Sequence, residues 1–367
     1  MKNLIKTITV LLFTACFMTA CEDRRYERVT YEANVPVYMD YAEFRASFLK
    51  SEPIGISQPG KIYFKDGYLF INEYGKGIHV IENSDPSNPQ MIAFYEIPGN
   101  IDLAIRGNIL YADSYIDLVA VDISDIENPA EIDRIENVFP ESVPEGDKWY
   151  PYAKVDNSKG IVVDWEVKTI TEDREIFDKG GWFYTNMLTF NSMTDASRTW
   201  SSGAGVAGSM ARFMLNEEYL YLIAQPWMLK TVDTGSKGEM QLVDSLEVAR
   251  AMETLFRLGD KLFIGTTTGM LIYSLDDPAR PDYLSSYDHI TACDPVVTDG
   301  EYAYVTLRTG NMCGGNQNLL EVIDITSISN PYLVKSYPMF NPHGLGIDGN
   351  LLFVCDGAAG LKIYDRE

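Results

Sequence analysis

The chain has 367 residues, with 30 Lys and Arg against 53 Asp and Glu, for a formal charge of −23. So acidic a surface excludes a nucleic-acid partner, since phosphates demand cationic contacts, and it repels anionic membranes unless something tethers the protein. Only 3 histidines are present while aromatic residues make up 12% of the chain, and the few helix-forming stretches favour an all-β protein.

Residues 1–20 read as an export signal: Lys2 and Lys6 lead, an apolar run extends from Ile8 to Met18, and small residues precede Cys21. The run is shorter than the roughly 18–20 residues that cross a bilayer, and no later stretch is apolar enough to do so. Met18-Thr19-Ala20-Cys21 resembles the lipobox of bacterial lipoproteins, whose cysteine is acylated and becomes the first mature residue. Leu12-Phe13-Thr14-Ala15-Cys16 has a similar outline. Cys21 leaves the longer apolar core upstream and is followed at once by Glu22-Asp23-Arg24-Arg25, so lipidation is assigned to Cys21. Cleavage near Ala20 without a lipid is the plainer alternative. Acidic residues just after the cysteine resemble the surface-export signal of Bacteroidota lipoproteins, which implies a lipid-anchored outer-membrane protein facing the exterior. Several acyl chains at about 0.8 kcal/mol per buried CH2 make such an anchor durable.

Residues 21–33 are then a tether, and 34–367 a single domain built from repeats. Ala33–Tyr41 (ANVPVYMDY) is a strand, and Ala42–Lys50 a short helix or loop. From there a unit returns: a strand, a tight turn, an aromatic-rich strand, then a third strand that stops at an Asn-Pro or Arg-Pro corner. GIHVIENSDPSNP (Gly77–Pro89), DLVAVDISDIENP (Asp117–Pro129), MLIYSLDDPARP (Met270–Pro281) and LLEVIDITSISNP (Leu319–Pro331) are copies of that corner. Proline cannot donate to a sheet ladder, so it ends the strand. Asp66-Gly67, Gly107-Asn108, Asp299-Gly300 and Asp348-Gly349 suit turns that need positive φ. Runs such as Tyr302–Val305 are apolar on both faces, as in sheets stacked between sheets. One four-stranded sheet cannot cover both its faces, but sheets arrayed radially can. The pattern predicts an all-β β-propeller.

Further units begin near Met210, Glu253, Asp294 and Pro342. Residues 139–208 are an irregular insertion, read as a degenerate blade that brings the count to seven; if it is only an elaborated hairpin, the count is six. The last unit supplies three strands, so Val35–Tyr38 is expected to pair with Leu361–Tyr364 and close the ring.

The strands LVAVDIS and LEVIDIT, with their Asn-Pro corners, resemble the LVIVD repeat of bacterial surface propellers, and Thr291–Gly349 resembles LVIVD-repeat lipoproteins of Bacteroidota. The likeness covers Ile54 to the C-terminus apart from 140–208. It implies fold and location, and it transfers no catalytic motif.

In a propeller, the loops entering each inner strand and those between the second and third strands share one rim. Cys293 and Cys313 meet there in one blade and are expected to form a disulfide, leaving Cys355 as a free thiol in a hydrophobic strand. The candidate binding rim comprises Asp102, Asp113, Tyr115, Trp227, Asp294, Arg308, His343 and Asp356, with Glu73 and Gln225 beside them. His79, His289 and His343 fall in separate blades, so a histidine metal site is not expected. There is no G-x-S-x-G elbow. Gly203-Ala204-Gly205-Val206-Ala207-Gly208 matches G-x-G-x-x-G, but it lacks the strand before and helix after that a dinucleotide site requires, so it reads as a linker. The corner aspartates lack the alternating ligands of a calcium loop. No cofactor is expected.

The sequence reading is therefore a non-catalytic surface propeller that binds a protein or glycan at the cell envelope. The alternative is a glycan-cleaving propeller using channel carboxylates such as Asp102 and Asp113, and a third reading makes the disk a structural spacer.

Overall fold

The computed structural model describes residues 25–176, 211–235, 238–288, 295–309 and 317–366. The export signal, Cys21, the Gly203–Gly208 stretch, His289, Cys293, Asp294 and Cys313 lie outside the described residues. Strand β1 (Arg25–Met39), helix α1 (Tyr41–Arg45) and strand β2 (Leu49–Ser51) lead into blade one, formed by β3 (Pro59–Lys65), β4 (Tyr68–Glu73), β5 (Gly77–Glu82) and β6 (Gln90–Glu96). Blade two is β7 (Leu103–Arg106), β8 (Ile109–Ser114), β9 (Asp117–Asp122) and β10 (Ala130–Ile135), and β11 (Ile161–Ile176) follows it. Blade three comprises β12 (Phe213–Asn216), β13 (Tyr219–Gln225), β14 (Met228–Asp233) and β15 (Gln241–Glu247). Blade four comprises β16 (Met252–Leu258), β17 (Lys261–Thr266), β18 (Gly269–Ser274) and β19 (Asp282–Asp288). Blade five is β20 (Val296–Thr298), β21 (Tyr302–Leu307), β22 (Leu319–Asp324) and β23 (Tyr332–Pro338). Blade six is β24 (Gly344–Asp348), β25 (Leu351–Cys355) and β26 (Leu361–Asp365). Each blade is an antiparallel meander, and the described residues form six blades of a β-propeller.

The repeated corners are turns closed by their own side chains. Asp85, Asp125 and Asp277 each accept from the backbone amide two residues on (Ser87, Glu127 and Ala279), every one at 3.0 Å. The peptide closes behind them, with Asn88, Asn128 and Arg280 donating to the carbonyls of those same aspartates. These Asx turns let the chain reverse without help from tertiary contacts. At the hairpins, Asp66 and Gly67 both hold positive φ, at 50° and 83°, as a type I′ turn requires.

Hydrophobic clusters join consecutive blades from one through six. Phe70, Ile78 and Tyr95 of blade one bury against Leu103, Leu110 and Val121 of blade two. The equivalent seams are Tyr111 and Leu118 with Phe213 and Leu222, Ile223 with Leu255 and Leu262, Phe263 with Val296 and Ile323, and Tyr304 with Leu345 and Val354. Each such aliphatic side chain stabilises by about 1.5–3 kcal/mol when fully buried. Hydroxyls add direction at these seams: Tyr95 donates to the Ile126 carbonyl at the corner of blade two, and Tyr221 to that of Pro278 in blade four, each at 2.8 Å. Ile62, Phe64, Leu361 and Ile363 lie on the opposite faces of blades one and six and are 51–61% exposed.

Two expectations are corrected. Among the described residues no seventh blade stands between blades two and three, because Phe139 and Val138 help seal those blades directly against each other. β11 leaves the ring instead. The N-terminal strand does not close blade six either: Val35 pairs with Glu166 and Val37 with Asp164, and β1 runs antiparallel to β11 along its whole length. The two strands are joined across the ladder by side chains as well, Arg28 on Asp173 and Thr30 on Thr171. Blade six has three strands among the described residues. Within Ala42–Lys50, α1 starts on an Asp40 cap that accepts from Ala42 N at 2.8 Å; β2 then extends blade one beyond β6.

Candidate functional site

The acidic residues placed on the rim share one geometry. Glu73 ends the second strand of blade one and accepts from the amides of Ser57 and Gln58, at 3.1 and 2.8 Å, just ahead of the inner strand. Asp113, near the end of the second strand of blade two, accepts from Ile101 N at 2.8 Å and Asp102 N at 2.9 Å. Asp356 follows the second strand of blade six and accepts from Phe340 N and Asn341 N at 2.9 and 2.8 Å. In three blades, then, a carboxylate clasps two consecutive amides of the segment entering the inner strand. All three residues are buried.

Asp102 performs a longer-range version. Its Oδ2 accepts from Arg212 N at 2.7 Å and Phe213 N at 3.0 Å, at the start of the inner strand of blade three. Its Oδ1 accepts from Leu103 N at 2.6 Å and pairs with Lys61 of blade one at 2.9 Å. One buried carboxylate thus ties three blades around the axis. Asn72 and Asn100 continue the network, with Asn72 Nδ2 donating to Asn100 Oδ1 at 2.6 Å and Asn100 Nδ2 to Asp113 Oδ1 at 2.9 Å.

Charge in this network is balanced by position. Burial pushes the Asp113 carboxyl up to about 6, with Asp102 adding to the rise against the pull of Arg212 and the two amides. Burial also opposes ionisation of Glu73, but hydrogen bonds from Ser57 and His79 outweigh it and hold its pKa at about 2. Burial works against the Asp356 anion too, yet Lys362 and the Phe340 and Asn341 amides keep it below the usual carboxylate range. The two extremes act oppositely on stability. Glu73 contributes stability above its unfolded value of 4.5 that is lost as pH falls toward 2. Asp113 contributes stability below its unfolded value of 3.8 that is lost as pH rises through 6. Urea unfolding of wild type and Glu73→Gln between pH 5 and 2 checks the first case: the wild type is expected to lose midpoint more steeply over that interval than the variant. Parallel curves would sink it.

The remaining rim residues are different in kind. Tyr115 is buried, its hydroxyl donating to the Val163 carbonyl of β11 at 3.1 Å, so it holds an adjoining element in place. Arg308 donates to Nδ1 of His343 at 2.8 Å, and the other ring nitrogen lies 3.2 Å from Asn341 Nδ2. Burial lowers the His343 pKa and the Arg308 charge lowers it further, leaving a neutral, half-buried imidazole at pH 7. Gln225 is half-buried at the end of β13, and Trp227, in the turn after it, is 40% exposed. Phe340 on the same rim is 62% exposed, and Ile54 and Ile56 in the loop entering blade one are 39% and 42% exposed. Cys355 is a free, half-buried thiol.

Sequence reasoning missed the partners that consume the acidic groups: Lys61, Asn72, Asn100 and Arg212. It also missed Asp117, which is buried and receives Arg45, Arg134 and the Asn137 amide at 3.0, 3.2 and 2.9 Å. A cleft of about 360 Å³ between α1 and β10 lies beside it, lined by Arg45, Phe48, Glu131 and Arg134 among others. Both arginines are spoken for, Arg134 also pairing with Glu131 at 2.8 Å and Arg45 with Glu136 at 3.0 Å. No group of three or more metal-ligating side chains converges among the described residues.

Sheets stacked about an axis, with polar clasps around it, define a β-propeller. Three of its blades carry the LVIVD repeat: the family model matches residues 60–96, 100–136 and 291–338, which fall on blades one, two and five. No curated protein matches the sequence. Among solved structures, a crystal structure of a protein from Lactobacillus plantarum aligns over 94% of this chain and 93% of its own, with 12% identity and a TM-score of 0.55. The WD40 domain of Pan2 from Neurospora crassa aligns over 84% of this chain and 75% of its own, with 9% identity and a TM-score of 0.51. At such identities the likeness is one of fold alone.

Proposed function

We propose that this protein is a non-catalytic lipoprotein, held at the outer membrane through Cys21 and facing the cell exterior, whose propeller is a binding or scaffold module for a protein or glycan partner. The observation that carries the reading is the division of labour on the rim. The carboxylates are buried and each clasps two backbone amides, whereas large apolar and aromatic side chains, Ile54, Ile56, Trp227 and Phe340, stand exposed on the same rim. A glycan-cleaving site needs a free acid and base. Of the pair that reading relied on, Asp102 spends both oxygens on Leu103, Lys61, Arg212 and Phe213, while Asp113 gives Oδ1 to Asn100 and the amides of Ile101 and Asp102 and turns Oδ2 toward the Arg212 guanidinium at 3.9 Å. Exposed aromatic anchors around a polar centre instead suit docking, where a few such residues dominate affinity.

Crosslinking on intact cells followed by mass spectrometry tests this. Crosslinked partner peptides are expected from the Trp227 and Phe340 rim, and Trp227→Ala with Phe340→Ala is expected to reduce their yield about tenfold or more, as loss of interface anchors does. Undiminished capture by a folded double variant overturns the rim as the binding face. Fractionation of Cys21→Ser is expected to move the protein out of the membrane fraction.

A further inference from the structure

The propeller does not use β1 and β11 in any blade. They form a two-stranded ribbon of their own, paired from Arg25 opposite Ile176 to Met39 opposite Ile161 with a single register shift between Val37 and Tyr38. Its two halves differ. Toward the propeller, Ala33, Asn34, Ile161 and Val162 are buried, and Ile161 packs with Phe44, Tyr115 and Ile116. Farther from the propeller one face is polar, and the other mixes the half-buried Val29, Tyr31 and Ile170 with Glu172. Arg28 makes a two-pronged contact with Asp173 at 2.9 and 3.2 Å, Thr30 meets Thr171 at 2.9 Å, and Tyr31 donates to Glu172 at 3.1 Å on the other face. With charged and hydroxyl side chains along both strands, the ribbon offers no extended apolar face to a core or a bilayer interior.

Its root is fixed. Asn34 donates its backbone amide to Pro151 and its side-chain amide to the carbonyls of Asp147 and Tyr150, all at 2.8 Å, and accepts from Asp147 N at 3.0 Å. Its carbonyl receives Ala153 N at 2.8 Å. Trp165, opposite Pro36, donates to the Pro144 carbonyl at 2.8 Å and stands edge-on to Tyr152 with ring centroids 4.7 Å apart. Tyr115 holds Val163 from below. An isolated hairpin is marginal in water; this one is bolted at one end by hydrogen bonds and rings on both strands.

We infer that the ribbon is a rigid stalk that sets the distance and orientation of the propeller relative to the membrane. The inference rests on the anchored reading above. Cys21 is four residues from Arg25, so its Cα lies within about 14 Å of that of Arg25. From Arg25 to Ala33, where burial begins, the strand spans eight residues, or about 27 Å. The anchor therefore reaches the disk through this paired, largely polar ribbon.

The test uses lipidated full-length protein on supported bilayers, with neutron reflectometry reading the height of the protein layer. Removing Val29-Thr30 together with their partners Thr171-Glu172 keeps register and facing while shortening both strands by two residues, and is expected to lower the layer by about 5–7 Å. Asn34→Ala is expected to broaden the layer without changing its mean composition. An unchanged height in the shortened variant, with thermal unfolding close to wild type, overturns the stalk. Cys21→Ser separates the two readings: a layer that persists without the lipid overturns the anchor itself, whereas loss of that layer alongside an unchanged height in the shortened protein overturns only the stalk.

Discussion

Asp102→Ala is expected to cost about 3–5 kcal/mol of unfolding free energy, the range for removing one partner of a buried charged network. The substitution strands the Lys61 ammonium and the amides of Leu103, Arg212 and Phe213, because all four meet this one carboxylate. Asp102→Asn keeps one acceptor oxygen and is expected to fall between the variant and the wild type. Asp85→Ala is the contrast: that side chain also accepts a backbone amide, but at an exposed corner, so its loss is expected to cost under about 1 kcal/mol. Equilibrium denaturation of the three variants checks the order. Equal losses for Asp85 and Asp102 would mean that the inter-blade role of Asp102 has been overstated.

Gly77→Ala is expected to be comparably damaging for a different reason. Gly77 and Gly269 open the third strands of blades one and four with φ of 147° and 148°. A Cβ at either would overlap a carbonyl oxygen of the adjacent fourth strand, that of Tyr95 or of Tyr287. Strain in a region reserved for glycine and a clash with paired backbone together cost about 3–5 kcal/mol. Gly75 supplies the control, since it too has positive φ, 72°, but has open space where its Cβ would go. Gly75→Ala is expected to lose about 1–2 kcal/mol. Thermal and urea unfolding distinguish the two glycines, and a Gly77 variant as stable as the Gly75 variant would contradict the close approach.

The blades were readable because their signals are local. An Asp that caps its own turn, a proline that ends a strand and an Asp-Gly pair at positive φ all act within a few residues, so Asp85, Asp125, Asp277 and Asp66 announce themselves in one dimension. The ribbon was not readable, because its two strands lie more than 120 residues apart and each has the composition of an ordinary edge strand. Val35 and Val37 alternate as a closing strand of a ring would, and only the cross-strand fit of Arg28 with Asp173 and Thr30 with Thr171 decides the partner. The rim was half readable. Topology put Asp102, Asp113 and Asp356 near the channel, but a carboxylate that solvates a ligand and one that solvates backbone amides look alike in sequence. Burial separates them, and the residues that bury Asp102 come from three blades.

The ribbon's independence from the blades also decides where tension goes. Had the chain's beginning completed blade six, any pull on an N-terminal anchor would peel that strand from its neighbour and unlatch the disk. With β1 outside the blades, the same pull runs along a strand loaded lengthwise into Asn34, α1 and the underside of Tyr115. That load enters blades one and two broadside rather than peeling the last sheet of the ring from its neighbour.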